Sequence, residues 1–363
     1  MPVVSESVSQ WSVSQWSVEQ FMVCCTEIRT FNNLVIEKLL KKLYNIYITH
    51  FQRVIFMGKK NKLLKVAVGA GAIYAISGAA FTGFVLTRAH KHFSKFADWV
   101  KGNEPEPPAD TSATQAKSDH IVIKNRDNKA IHGFMIKNPV ESDKWAILIH
   151  GFNCEPFYMA NLAEKYYEWG YNVIMPALRG HDHSEHNAVS MGWLDRLDMV
   201  DWINYLVGIH PECQIILHGI SMGGATVMMT VGEELPENVK CAIEDCGFTS
   251  VWDEFKYELK KTYKLNAFPT LYASSNIHSI FKGHSLKQAS SIEQLRKAKT
   301  PVLFIHGEQD DYVPFDMLQK NFESCASEKD ILVVPEAEHA NSYKVNPELY
   351  WNKVEEFTNK YIK

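Results

Sequence analysis

Ser221 lies in Gly219-Ile220-Ser221-Met222-Gly223, directly after the apolar run Gln214 to His218 and directly before a helical-looking stretch, Ala225 to Val231. A strand that turns sharply into a helix around a serine lifts the hydroxyl above the end of a sheet, and the crowding of that turn demands small residues on both sides. The hydroxyl becomes a useful nucleophile only when a histidine takes its proton. The histidine in turn needs a carboxylate to fix its tautomer and stabilise its cation. Both partners stand downstream. The apolar segment Pro301 to His306 ends in Gly307 and leads into a loop with Asp310 and Asp311, closed by Val313-Pro314 at a helix start. A second strand, Asp330 to Val334, runs into a loop that carries His339, after which an amphipathic helix ends the chain. Asp245, at the end of the strand Lys240 to Asp245, is a further carboxylate to weigh.

The order Ser, Asp, His is that of α/β-hydrolases and differs from the orders in chymotrypsin and subtilisin. From about Asp119 to Lys363 the chain resembles an α/β-hydrolase of the serine esterase and peptidase type. His150-Gly151-Phe152, after the strand Trp145 to Ile149, resembles that family's oxyanion loop, and Arg179-Gly180-His181 its Arg-Gly-His loop. His306-Gly307 with Asp310 and Val313-Pro314 resembles its acid loop, and His339-Ala340 its histidine loop. Gly192 to Asp198 is similar to a branch of membrane-anchored bacterial hydrolases. The resemblance implies that Ser221 is the nucleophile, His339 the general base and acid, and Asp310 the orienting carboxylate. The family spacing favours Asp310 over Asp311, while Asp245 stays a rival because some members place the acid one strand earlier. The oxyanion hole it implies is the backbone N–H of Phe152 and of Met222, donors that need no particular side chain.

That chemistry calls for no cofactor or metal and acts on a small ester or a short peptide. A peptidase of the same fold would need an acidic clamp for a free amino terminus, for which Glu155, Glu185 and Asp195 are available. A metal-dependent hydrolase is the rival suggested by His181-Asp182-His183-Ser184-Glu185-His186, whose three imidazoles and carboxylates could bind zinc. Against it, the fifth position is Glu where the binuclear pattern has Asp, and a metal site would leave the serine machinery unexplained. A non-catalytic surface-binding protein is the remaining alternative, and it has no use for serine, acid and histidine together. The net charge of −4 gives no reason to expect nucleic acid. Seven cysteines show no zinc or redox spacing, and an odd count excludes complete internal pairing.

Eight strands are readable, at His120–Lys124, Ala130–Ile136, Trp145–Ile149, Tyr171–Met175, Gln214–His218, Lys240–Glu244, Val302–Ile305 and Ile331–Val334. Helical patterns fill most gaps, notably Phe157–Trp169, Trp193–Gly208, Phe315–Ser324 and Glu348–Tyr361. This alternation predicts an α/β fold with a mostly parallel eight-stranded sheet covered by helices on both faces. The hydrolase domain is expected over 118–363. Its interval 248–299 carries no strand and reads as a helical lid, with Trp252, Phe255, Tyr257, Tyr263, Phe268 and Tyr272 as candidates to line an acyl pocket.

Ahead of that domain, 57–101 reads as an anchor region. Val66 to Thr87 has no charged residue, is long enough to cross a bilayer as one helix, and is rich in small residues suited to helix contacts in lipid. Basic residues are nearly balanced around it, and upstream Lys38, Lys41, Lys42 and Arg53 tilt the expectation toward an inside N-terminus and a monomeric catalytic domain outside the cell. Residues 102–117, with Pro105, Pro107 and Pro108, read as a tether. Residues 1–56 carry the repeat Val8 to Ser12 and Val13 to Ser17, and read as a low-complexity extension or a misassigned start upstream of Met57.

Overall fold

The computed structural model describes residues 71, 74–79, 81–83 and 111–363, apart from 182, 183 and 187. The expectations for 1–56 and for most of 57–110, together with Asp182 and His183, lie outside the described residues.

A short helix, α1 (Ser112–Ala116), precedes β1 (Asp119–Lys124), β2 (Ala130–Ile136) and β3 (Lys144–Ile149). A 3-10 turn at Pro156–Met159 leads into α2 (Ala160–Glu168), β4 (Asn172–Pro176), α3 (Asp195–Ile209), β5 (Gln214–Ile220), α4 (Met222–Thr230) and β6 (Val239–Asp245). Three helices follow, α5 (Val251–Tyr263), α6 (Thr270–Lys282) and α7 (Ser291–Leu295). The chain then runs through β7 (Val302–Gly307), α8 (Asp316–Ser324), β8 (Lys329–Val334), α9 (Ser342–Val345) and α10 (Pro347–Thr358).

The strands form one sheet in the order β1-β2-β4-β3-β5-β6-β7-β8. β2 pairs antiparallel with β1 and with β4, and every pair from β4 to β8 is parallel. Successive side chains point to opposite faces. Ile147, Ile149, Leu217 and Phe304 therefore pack with Trp202, Met228 and Phe248 on one side, while Ala146, Leu148, Ile216 and Ile305 pack with Leu162, Tyr166 and Phe357 on the other. A strand buried on both faces needs apolar residues at every position, which explains the unbroken apolar runs of β3, β5 and β7. Because β5 to β8 are parallel, the loops leaving their C-terminal ends share one edge of the sheet. That edge receives Ser221, Asp245, Asp310 and His339.

Two features add to the sequence reading. The C-terminal end of the expected tether is helical: α1 docks on α2, with buried Thr114 donating to Glu164 Oε1 at 2.8 Å. Within the expected anchor, residues 76–79 and 81–83 are helical and lie against α5 and α6. Thr82 Oγ1 and Ser274 Oγ are 2.7 Å apart, and the Phe81 and Phe255 rings meet edge to face at 5.8 Å. No helix among the described residues is long and apolar enough to cross a membrane.

Candidate active site

Ser221 caps the N-terminus of α4 with φ 59° and ψ −118°, a conformation that few residues other than glycine adopt willingly. The strain is held from both sides. A Cβ at Gly219 would collide with the Gly223 carbonyl, and one at Gly223 with the Ile149 carbonyl. The Ser221 N–H donates to the Asp245 carbonyl at 2.8 Å, tying the turn to the end of β6.

His339 reaches this serine from the loop after β8. Its Nε2 is 2.9 Å from Ser221 Oγ and its Nδ1 is 2.8 Å from Asp310 Oδ2. With Nδ1–H donating to the carboxylate, Nε2 is left to accept the serine proton. The two loops are pressed together, since a Cβ at Gly307 would run into the Ala337 carbonyl. The Tyr312 ring lies 4.8 Å from the imidazole, centroid to centroid.

Asp310 is almost wholly enclosed by donors. Tyr312 and Val313 give backbone N–H groups to Oδ1 at 3.0 and 2.9 Å, and His306 Nε2 joins His339 on Oδ2 at 3.2 Å. Burial works against the carboxylate, but the nearby His339 charge and the bonds from His306 and His339 outweigh it and hold its pKa well below the usual range. In the sequence, His306 stands out only as part of the acid-loop motif. The structure adds that its buried ring supports the acid, a role its place four residues before Asp310 could have signalled. The Cys246 sulfur, with the Asp310 and His339 ligand atoms, falls within a 4.8 Å cluster. Burial pushes its thiol pKa well up.

The other carboxylates are placed differently. Asp311 is exposed and paired with Lys261 at 3.0 Å. Asp245 points away into a buried chain: Tyr350 OH donates to its Oδ2 at 3.0 Å, the same hydroxyl is 3.0 Å from His218 Nε2, and His218 Nδ1 is 3.0 Å from Tyr166 OH. Burial, only partly offset by the Tyr350 hydrogen bond, pushes the Asp245 pKa up to about 6.

Beside the serine, the Gly151 Cβ position is 3.5 Å from Ser221 Cβ, so the Gly151-Phe152 loop lies against the nucleophile turn. His150 braces that loop, with Nδ1 2.8 Å from the Gly151 carbonyl and Nε2 accepting the Leu178 N–H at 3.1 Å. Met222 is the first residue of α4, where a backbone N–H has no partner within the helix and faces outward. His181 is likewise spent on backbone: Nδ1 bonds the Arg179 carbonyl at 2.9 Å and Nε2 accepts the Asn153 N–H at 2.9 Å. His186 Nε2 takes a bond from Asn125 at 3.1 Å. Among the described residues, no metal-binding cluster includes the 181–186 run.

The chain matches the prolyl oligopeptidase family over residues 157–363, an interval that begins after the oxyanion loop and contains Ser221, Asp310 and His339. It belongs to that family. YqkD of Bacillus subtilis is 26% identical over 247 residues, covering 68% of this chain and 81% of that protein. A Pyrococcus furiosus esterase superposes with a TM-score of 0.58 at 22% identity, over 72% of this chain and 99% of the esterase. The acylaminoacyl peptidase of Pyrococcus horikoshii superposes with a TM-score of 0.52 at 17% identity, over 70% of this chain and 44% of the peptidase. At such identities the two structures speak for the fold alone, an α/β-hydrolase. Family and fold together make the protein a serine hydrolase.

Proposed function

We propose that the protein hydrolyses carboxylic esters through an acyl-enzyme on Ser221, and the observation that carries this is the continuous hydrogen-bonded chain Ser221–His339–Asp310. Ser221 Oγ attacks the ester carbonyl while His339 Nε2 takes its proton, and Asp310 stabilises the imidazolium that forms. The tetrahedral oxyanion is held by the Phe152 and Met222 N–H groups. His339 then returns the proton to the departing alcohol, which leaves the acyl group on Ser221. Water, deprotonated by His339, releases the acid and restores the serine.

Esters are favoured over peptides because two of the three carboxylates offered to clamp an amino terminus, Asp195 and Glu185, are engaged elsewhere, while Glu155 stands exposed before the 3-10 turn at Pro156. Asp195 is buried and accepts from Arg179 N, Ser190 Oγ and Gly192 N. Glu185 Oε2 accepts the Ala130 N–H at 3.0 Å. Glu254 on α5 is only 4% exposed, and burial raises its pKa well above the usual value, which disfavours the charged form that an ammonium clamp uses. A fluorophosphonate probe followed by p-nitrophenyl esters and aminoacyl anilides tests the proposal. The probe should label wild type and not Ser221→Ala, and esters should be turned over faster. Faster cleavage of the anilides would establish the peptidase.

We further propose that Val66 to Thr87 anchors the chain in a membrane with the hydrolase domain outside, a reading supported by its lack of charge. Full-length protein should then stay with membranes in carbonate, and external protease should remove the domain. Release by carbonate would end the anchor, and protection from protease would reverse its orientation.

A further inference from the structure

The hairpin formed by α5 and α6 concentrates two properties that the rest of the described surface spreads thinly. Residues 259–292 hold five lysines, Lys260, Lys261, Lys264, Lys282 and Lys287, and no Asp or Glu, within a chain of net charge −4. The same segment exposes large apolar side chains: Leu265 is 49% exposed, Phe268 68%, Tyr272 43%, Ile280 76% and Phe281 47%. Tyr272 and Ile280 lie on the exposed side of α6, and Phe268 stands just before its N-terminus with its ring 6.0 Å from that of Tyr272. The opposite side of the helix is engaged. Leu271, Ala273, Ser274 and Ile277 are buried, and a Cβ at Gly78 would collide with Ala273.

We propose that this hairpin docks on the surface of an anionic lipid bilayer. Exposed aromatic and aliphatic side chains beside Lys260, Lys264, Lys282 and Lys287, with Lys261 paired to Asp311, are suited to the boundary between headgroups and acyl chains, where apolar burial and attraction to anionic lipid act together. Lys287 Nζ sits 4.4 Å above the Trp252 ring and 5.3 Å above that of Tyr272, which puts a cation at the rim of the exposed apolar side chains. The buried side of the hairpin is packed by residues 76–79 and 81–83, which leaves the opposite, exposed side to face a partner. The docked hairpin would lie beside the active site, because Tyr257 OH and Lys261 Nζ on α5 donate to the Asp311 carbonyl at 3.0 and 2.5 Å. Acyl esters partitioned into the bilayer would then be delivered next to Ser221. The docking itself does not rest on the ester reading.

Hydrogen–deuterium exchange on the full chain, with vesicles of phosphatidylglycerol or of phosphatidylcholine, tests this without recourse to catalysis. Exchange in 264–283 should slow with phosphatidylglycerol, recover at high salt, and change little with phosphatidylcholine. Ile280→Asp combined with Phe281→Asp should abolish the protection while leaving turnover of a water-soluble ester unchanged. Lys264→Gln should weaken docking about fivefold, the equivalent of the ~1 kcal/mol that one lysine contributes near an anionic surface. Equal protection by both lipids would overturn the anionic preference. Protection that survives the double aspartate variant, or that follows protein concentration in the absence of lipid, would overturn the proposal, the latter pointing to a second copy of the chain. Fluorophosphonate labelling of the same samples reports separately on Ser221.

Discussion

Two buried aspartates stand at the ends of neighbouring strands in the same corner of the molecule, and they are in opposite electrostatic states. Asp310, just past β7, is met by two imidazoles and two backbone N–H groups, and its pKa is held far down. Asp245, the last residue of β6, is met by the Tyr350 hydroxyl at 3.0 Å and the Ser342 hydroxyl at 3.4 Å, and burial pushes its pKa up to about 6. Both are at least nine-tenths buried, so burial does not separate them. The donors do: N–H groups and a partner that becomes cationic stabilise the carboxylate enough to overcome burial, whereas the hydroxyls at Asp245 offset it only in part. The count and type of donors, and not burial, therefore separates the two carboxylates and favours Asp310 as the acid in the proposed mechanism.

The most severe test removes the group both would serve. Ser221→Ala should lower kcat by ~10⁴-fold or more and abolish probe labelling, with the fold intact by circular dichroism. Retained activity would leave neither aspartate a role. Asp310→Asn should come next, with a loss of about 10⁴-fold in kcat from the wrong histidine tautomer. Asp245→Asn should cost far less, because Ser221 is bonded to the Asp245 backbone carbonyl and not to its carboxylate. The reverse ranking would move the acid one strand earlier. Asp311→Asn should leave kcat nearly unchanged, since its side chain is 78% exposed and pairs only with Lys261.

His306→Phe measures what one donor contributes. It keeps the ring's bulk but removes the Nε2–H that lies 3.0 Å from the Val313 carbonyl and 3.2 Å from Asp310 Oδ2, and kcat should fall about tenfold, the rate equivalent of ~1.4 kcal/mol, with little change in KM. An unchanged kcat would mean that His339 and the backbone hold the acid by themselves.

The framework was legible because its signals are local. Apolar runs bounded by turn residues marked all eight strands, and the glycines around Ser221 marked a turn whose crowding is now visible as collisions with the Gly223 and Ile149 carbonyls. Ser221, Asp310 and His339 could be singled out for the same reason, since each sits at the end of a readable strand. What stayed hidden depends on pairing between distant residues. The chain from Tyr166 through His218 to Tyr350 and Asp245 joins four separate elements and has no sequence signature. The hand of β2, antiparallel to both its neighbours, was hidden for the same reason. In the 181–186 run, the sequence could not show that His181 has both ring nitrogens on backbone groups.

The smallest effect is a difference in slope, and it separates the two aspartates without any substrate. Asp245 has its pKa raised from 3.8 to about 6, so in the folded state it keeps a proton that the unfolded chain has already released. Its contribution is fully present below about pH 3.8 and is lost as pH rises through about 6, amounting to ~3 kcal/mol at most. Asp245→Asn removes that titration, so its melting temperature relative to wild type should climb between those limits and then level off. Asp310 has its pKa lowered, and its stabilisation is present above the unfolded value of 3.8 and lost as acid protonates the folded form. Asp310→Asn should therefore fall furthest below wild type at neutral pH and draw level with it on acidification. Melting curves of the three proteins from acid to neutral pH should diverge in opposite directions. Parallel curves would show that the two carboxylates share one electrostatic state, and the contrast between them would fail.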